Sequence, residues 1–311
     1  MGFRWRKKDL IMLKHLAEAH GHFLTRDQIK ENFYPIMSKG GFGKRIAKYV
    51  NEDILEKNFT PFQGKCAYSL TRKALNVLVA NQEKLKKLLN EDFFWKFGSS
   101  GGVKLKYFNA DYFYRKNKVN FKLFQHSHRL NEIRFLLQNY CENNQIHDYF
   151  TEKMVRRYLI SHKSKIKNKR PDSVLISKYS KMRENDSKVI AFEYEHTAKK
   201  KHRYVEIFKQ YKKEIENNNF IDYVLYITRD EFLKKRILKY LSQRNSQLLE
   251  HLFVITYEDF KHHTQNNINI RAENYKKYVT DKNKTERVAK FDSKFRAQIK
   301  KTKYKNYFRN N

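Results

Sequence analysis

The chain has 311 residues, of which 40% are hydrophobic and 15% aromatic, so it can bury a sizeable core and is not wholly disordered. Lysine and arginine total 67 against 33 acidic residues, a formal net charge of +34. Such an excess predicts nucleic acid as partner, with an anionic membrane surface as the weaker alternative. Without a long apolar stretch or a cysteine framework, the sequence argues against a membrane span, a secreted disulfide scaffold and a zinc finger, and predicts a cytoplasmic protein.

Residues 1–80 predict three small helices, then a β-hairpin and a further helix. Thr25 and Gln28 form a capping box that opens the second helix. Three closely spaced glycines are expected to break the chain before the third helix: Gly40, Gly41 and Gly43. A turn at 63–65 joins two strand patterns, and the further helix is expected over 71–79.

This order of elements is typical of the winged-helix form of helix-turn-helix, whose third helix enters the major groove beside the hairpin. The basic residues of that helix and hairpin are the candidate DNA contacts: Lys44, Arg45, Lys48 and Lys65. The first three are expected to face outward. A solvated basic face is the alternative, and winged helices also mediate protein contacts.

Two further regions are basic. Residues 81–124 read as a connector in which aromatic and basic residues alternate, with a Ser-Ser-Gly-Gly linker at 99–102. Its aromatics are expected to be buried in an interface, or alternatively to stack on single-stranded bases. Residues 262–311 read as a basic C-terminal arm, helical or partly disordered, that contacts phosphates.

The middle region, residues 125–261, alternates helical and strand patterns. Strands are expected over 171–176, 188–195, 221–228 and 252–256. A basic helix is expected over 198–216 and another helix over 230–249. The predicted fold class is therefore α+β or α/β, with a small mixed sheet flanked by helices after the winged helix.

Carboxylates stand at particular points of this predicted sheet. Asp172 opens one strand, and Glu193 and Glu195 lie two residues apart on the next, so both face the same side. If the strands pair, Asp172 and Glu193 meet at one end of the sheet. Carboxylate oxygens there can hold Mg²⁺ or Mn²⁺, which would activate water against a phosphodiester. Lys199, four residues after Glu195, could stabilise the developing charge.

Pro171-Asp172 followed by Glu193-Tyr194-Glu195 resembles the PD-(D/E)xK nuclease motif, with Glu195 at the position of the motif's lysine. The wider pattern adds the run from His128 to Glu132, then Glu152, Lys199 and Tyr211. It resembles the replication-relaxation family, which is similar to MobC-type mobilisation relaxases. The resemblance covers roughly residues 5–260.

The resemblance implies a restriction-endonuclease-like sheet after an N-terminal winged helix. It implies Asp172 and Glu193 as metal ligands, Glu152 as a further ligand or orienting residue, and Lys199 as the charge stabiliser. Glu195 belongs to the catalytic candidates by its position in the motif. His128 is expected to cap a helix or to support a ligand.

Two specific functions remain open from the sequence, beside a membrane-surface or RNA-binding protein that the charge alone would allow. One is a Mg²⁺- or Mn²⁺-dependent DNA endonuclease or nickase, relaxase-like, that serves plasmid or mobile-element mobilisation or replication. The other is a DNA-binding replication initiator or accessory protein with a silent nuclease-like domain, favoured by the displaced lysine. The expected partner is double-stranded DNA, with or without a single-stranded stretch. The DNA sequence and the oligomeric state, a dimer included, stay open.

Overall fold

The computed structural model describes residues 5–60, 66–81, 119, 123–144, 148–152, 171–177, 188–216, 221–244, 248 and 250–266. Contacts divide the chain into two compact units. The first lies within Met1–Phe135 and Phe150–Lys165, and the second within Leu136–Tyr149 and Ile166–Asn311. Helices are combined with two small sheets, which confirms the predicted mixture of α and β structure.

The first unit is built around a short antiparallel sheet. Its helices are α1 (Lys7–Glu18), α2 (Arg26–Phe33), α3 (Lys39–Asn51) and α4 (Arg72–Ala80). Its strands are β1 (Leu24–Thr25), β2 (Leu55–Phe59) and β3 (Cys66–Leu70), in the sheet order β1-β3-β2. The predicted hairpin is β2–β3, with Leu55 opposite Leu70 and Phe59 opposite Cys66. Its turn, residues 61–65, lies outside the described residues.

The start of α2 follows from local chemistry. The Thr25 hydroxyl accepts from the Gln28 amide at 3.3 Å, and the Gln28 side chain accepts from the Thr25 amide at 3.1 Å. The two bonds satisfy backbone donors that a helix start leaves without partners. The predicted capping box is confirmed.

The expected chain break before α3 is wrong. Gly40, Gly41 and Gly43 lie within the helix, which Ser38 caps by accepting from the Gly41 amide at 3.2 Å. Buried side chains at helical spacing hold α3 against the core in spite of these glycines: Phe42, Ile46 and Tyr49. At Gly43, an added Cβ would lie 3.3 Å from the Arg26 guanidinium, so α2 and α3 approach closely there.

Helix α5 (Phe124–Asn144) begins on the first unit, although the sequence analysis assigned residues from 125 onward to the middle region. The Asn131 side chain accepts from the His20 amide at 2.8 Å and donates to the Phe23 carbonyl at 2.9 Å. Arg134 forms a buried ion pair with Glu18. These partners lie more than 100 residues away, so periodicity along the chain does not reveal them.

The second unit contains a mixed sheet. The strands of this sheet are β4 (Asp148–Thr151), β5 (Ser173–Ser177), β6 (Lys188–Glu195), β7 (Tyr223–Thr228) and β8 (Leu252–Thr256), adjacent in that order. The last four belong to the second unit, whereas the division between the units falls within β4. Strand β5 is antiparallel to β6, whereas β6, β7 and β8 are parallel. Parallel neighbours need crossovers, and α6 (Lys201–Glu216) and α7 (Glu231–Arg244) lie in the two connections.

Two elements were not expected from the sequence, β4 and α8 (Tyr257–Gln265). Helix α8 follows β8 directly because the Thr256 hydroxyl accepts from the Asp259 amide at 3.1 Å and caps it. It runs past residue 262, where the C-terminal arm was predicted to begin. Most of that arm, from 267 onward, and most of the predicted connector lie outside the described residues. Among the described helices, none has the length and apolar composition to cross a bilayer.

Candidate acidic site and basic surfaces

The pairing of β5 with β6 brings Asp172 and Glu193 to one end of the sheet. Ser173 is opposite Phe192 in this antiparallel ladder, so the register continues to Asp172 beside Glu193. The Asp172 carboxylate accepts from the backbone amide of Tyr194 at 2.8 Å, which fixes it against β6. The expected strand pairing is therefore confirmed, and it places the Asp172 carboxylate against the segment of β6 that carries Glu193.

Glu193 and Glu195 both point to the face that α6 covers. Glu193 is 4% exposed and Glu195 is 2% exposed. The Tyr211 hydroxyl, on α6, donates to the Glu193 carboxylate. Burying an ionised carboxylate is costly unless hydrogen bonds or opposite charges compensate, and here the Tyr211 hydroxyl compensates Glu193 while the Lys199 ammonium compensates Glu195.

Tyr226 is a residue of this site that the sequence analysis missed. It lies opposite Glu193 in the parallel ladder between β6 and β7, and it is fully buried. Its hydroxyl has no hydrogen-bond partner among the described residues. Burial and then the charge of Glu193 raise its pKa well above the ordinary value, so the group stays a neutral donor. No sequence signal identifies it, because β7 shows a uniformly apolar and aromatic pattern.

Tyr211 has the same character but a different partner. Burial, followed by the charge of Glu193, raises its pKa well above the ordinary value. The Tyr211 hydroxyl therefore keeps its proton and donates a hydrogen bond to the Glu193 carboxylate. Two neutral phenols thus flank the Glu193 carboxylate, one hydrogen-bonded to it and one beside it in the sheet.

Glu195 forms an ion pair with Lys199, whose side chain is 31% exposed while that of Glu195 is 3% exposed. The Lys199 amide also donates to the Tyr204 hydroxyl at 3.1 Å, so the turn between β6 and α6 is held in place. Burial raises the pKa of Tyr204 to about 12. The lysine predicted to stabilise charge therefore lies at the end of the acidic face, bonded to Glu195.

Asp172 and Glu193 could together hold a hard divalent cation. Their oxygens are the donors that Mg²⁺ and Mn²⁺ prefer, and Mg²⁺ is commonly bound by one or two carboxylates plus water and phosphate oxygens. The unpartnered Tyr226 hydroxyl beside Glu193 is consistent with a further polar group in this site. In the described part of the chain, no group of three or more His, Cys, Asp or Glu side chains is gathered as a metal site. The residues therefore fit a two-carboxylate site and not a cage made of protein ligands alone.

Two other predicted site residues belong to the first unit. Glu152 directly follows β4 and is exposed. His128 lies on α5, where its ring nitrogen is 3.7 Å from Glu132 and its carbonyl accepts from the Gln28 side chain at 3.0 Å. The His128 carbonyl therefore joins α5 to α2, and the predicted supporting role of its side chain stays a prediction.

The three basic residues predicted on the outer face of α3 do not all face outward. Lys44 and Lys48 are exposed and lie one turn apart. Arg45 was expected to face outward, but its guanidinium bonds to the fully buried Asp9 and only 17% of its side chain is exposed. The physical reason is that a buried carboxylate on α1 needs a cation. Lys65 lies outside the described residues.

Asp9 is the centre of a polar cluster between α1 and α3. The Tyr34 hydroxyl donates to Asp9 at 2.8 Å and lies 3.1 Å from the Tyr49 hydroxyl. Burial alone would raise the pKa of Asp9, but hydrogen bonds from Tyr49, Arg45 and their neighbours lower it overall. The carboxylate is therefore ionised and fully compensated at neutral pH.

Comparisons of the chain with protein-family models, with curated proteins and with solved structures found no match.

Proposed function

We propose that this protein is a metal-dependent DNA endonuclease or nickase with a relaxase-like role in mobilisation or replication of a plasmid or mobile element. The observation that carries the proposal is the placement of Asp172 beside Glu193 at one end of paired strands. A fold that buries acidic groups with neutral tyrosine partners keeps oxygen donors in place for a cation. The resemblance described above supports the same assignment.

DNA binding is assigned to the first unit as a winged helix. Its element order, helix, strand, two helices and a two-stranded hairpin, with the sheet order β1-β3-β2, supports this assignment. Helix α3 is then the recognition helix, with Lys44 and Lys48 toward the DNA and Arg45 holding α3 to α1. The net charge of +34 supplies long-range attraction to a polyanion.

Each acidic-site residue has a role in the proposed reaction. Asp172 and Glu193 would hold a Mg²⁺ or Mn²⁺ ion, which when bound polarises a phosphodiester and lowers the pKa of a water. Tyr211 orients the Glu193 carboxylate by hydrogen bonding. Lys199 can turn from Glu195 toward a phosphate because its side chain is partly exposed.

The test is relaxation of supercoiled plasmid DNA with Mg²⁺ or Mn²⁺, comparing wild type with Asp172→Ala and Glu193→Ala. Cleavage should require the metal and should be lost in both variants while DNA affinity, measured by gel shift, is retained. Glu216→Ala is the matched control, since Glu216 is an exposed acid that pairs with Lys212 on α6. Wild-type cleavage that persists in either site variant would contradict the assignment.

A DNA-binding protein with a silent nuclease-like domain is the second candidate. It is favoured by the ion pair between Lys199 and Glu195. The Lys199 ammonium, which the proposed reaction would use to stabilise charge, is bound to Glu195 in this pair. Metal-independent, salt-sensitive binding of duplex DNA by a wild-type protein that never cleaves would establish this alternative.

A further inference from the structure

An open cleft of about 440 Å³ lies in the first unit, between the start of α1 and the segment that joins α2 to α3. It is separate from the acidic residues of the sheet, since all of its lining residues lie between Arg6 and Arg45. Its size falls in the range of small-molecule sites. The role proposed above for α3 does not use it.

The joining segment makes one side of the cleft apolar. Tyr34, Pro35, Ile36 and Met37 line this side. The Ile36 side chain is 94% exposed, whereas Met37 is half-buried against the core. Pro35 and Ile36 are exposed, whereas Tyr34 is only 5% exposed, so the accessible apolar surface of the cleft is that of Pro35 and Ile36.

Cations form the other side. Arg6, Lys7 and Lys8 line the cleft and are exposed at the start of α1. Asp9 also lines it, but its charge is compensated by the buried ion pair with Arg45. The cleft therefore combines an apolar wall with a rim of positive charge.

A nucleotide has complementary chemistry, because its base is apolar on both faces and its phosphate is anionic. The base must be unpaired, since a base stacked in a duplex cannot enter a cleft. The cleft also adjoins the proposed DNA-binding helix, because Arg45 belongs to α3 and is adjacent to Lys44. We infer that this cleft binds an unpaired nucleotide of the DNA held by α3, with the base against the exposed Pro35 and Ile36 and the phosphate at Lys7 and Lys8.

This inference rests on the DNA-binding part of the proposed function and deepens it. If the cleft binds an unpaired nucleotide, the first unit recognises the junction between double-stranded and single-stranded DNA. An acidic peptide with apolar side chains is the competing occupant. Continuity of the cleft with α3 and the polyanion-attracting charge of the chain favour nucleic acid.

The binding test uses the full chain without divalent metal, so that cleavage does not contribute. Fluorescence anisotropy compares a blunt duplex with the same duplex carrying a short single-stranded extension. Ile36→Asn should weaken binding of the extended duplex by about tenfold, because it removes the apolar contact of one aliphatic side chain with the base. Binding of the blunt duplex should be nearly unchanged. Phe232→Asn is the matched control, because Phe232 is 67% exposed on α7 in the second unit.

A second variant pair separates the phosphate contact from general charge. Lys7→Gln with Lys8→Gln should reduce the preference for the extended duplex, whereas Lys235→Gln with Lys239→Gln removes the same charge from exposed positions of α7 and should not. A halogenated pyrimidine placed in the extension should photocrosslink to the peptide that contains residues 34–37.

Two results would overturn the inference. Equal weakening of both DNAs would show that these residues contact duplex backbone only. Unchanged binding of both by every cleft variant would exclude DNA from the cleft and leave an acidic peptide as its occupant. Neither result depends on Asp172 or Glu193, so failure here is distinct from failure of the nuclease proposal.

Discussion

Buried carboxylates occur in both units, and their surroundings differ. In the first unit, Asp9 bonds directly to the Arg45 guanidinium and to Tyr34. In the second unit, the buried Glu193 accepts from the neutral Tyr211 hydroxyl, the partly exposed Asp172 accepts from a backbone amide, and the buried Glu195 pairs with Lys199. The ion pair of Asp9 with Arg45 neutralises a buried charge between two helices. The strand pairing of the second unit instead brings Asp172 close to Glu193.

In the function proposed above, Asp9 serves the fold, whereas Asp172 and Glu193 serve the reaction. A carboxylate whose guanidinium partner is built into the adjacent helix contributes through that pair, and loss of one partner leaves an uncompensated charge. Acids that lie close together repel each other, and a fold has no structural reason to collect them. We therefore expect Asp9 variants to change stability and Asp172 or Glu193 variants to change activity.

The largest expected effect is on cleavage. Asp172→Asn and Glu193→Gln keep the side-chain shapes but remove the charges, so metal-dependent nicking should fall by roughly a hundredfold or more. The same variants should unfold in urea near the wild-type midpoint. If these variants lost much of their stability but kept the wild-type specific activity, Asp172 and Glu193 would have a structural role and not a catalytic one.

The next effect is on stability. Asp9→Asn leaves Arg45 without its partner and should lower the free energy of unfolding at pH 7 by about 3 kcal/mol. The folded pKa of Asp9 lies below its ordinary value of 3.8, so its ionisation stabilises the fold above that pH and the contribution is lost as pH falls through the folded pKa.

The difference between wild type and Asp9→Asn should therefore shrink when urea unfolding is repeated near pH 3. Asp27→Asn, an exposed acid in the first turn of α2, is the control in the same unit. A difference that stays constant across this pH range would mean that the ion pair is not what stabilises α1 against α3.

A Lys199 variant tests whether this lysine takes part in the proposed cleavage together with Asp172 and Glu193. Lys199→Ala should reduce nicking about tenfold if the ammonium stabilises charge in the reaction. Lys200→Ala is the control, because Lys200 is the exposed neighbour. Unchanged nicking in Lys199→Ala would limit Lys199 to its ion pair with Glu195.

The last pair of variants concerns the two tyrosines beside Glu193, and Tyr226→Phe has the smallest expected effect of all. Tyr211→Phe removes a donor to a buried carboxylate and should lower the free energy of unfolding by about 2 kcal/mol. Tyr226→Phe removes a hydroxyl without a described partner and should be neutral or slightly stabilising in metal-free protein. Urea unfolding in a chelating buffer measures both. Equal destabilisation by the two changes would show that Tyr226 also has a protein partner.

Much of the local structure could be predicted from the sequence. The capping box at Thr25 and the hairpin of β2 and β3 follow from neighbouring residues, and both are confirmed. The alternation of β6 predicted that Glu193 and Glu195 share a face, because that period is intrinsic to a strand. The glycines before residue 44 misled the helix prediction, because packing of Phe42 and Tyr49 overrides weak local propensity.

The sequence by itself determined the charge, most elements and the candidate acids, since composition and short-range periodicity carry that information. Only the tertiary structure decided that Arg45 turns to Asp9, that α5 begins on the first unit, and that Tyr226 lies beside Glu193. Each of these depends on contacts between residues distant along the chain. Such contacts are selected by packing and by the need to compensate buried polar groups, neither of which is a property of a local window.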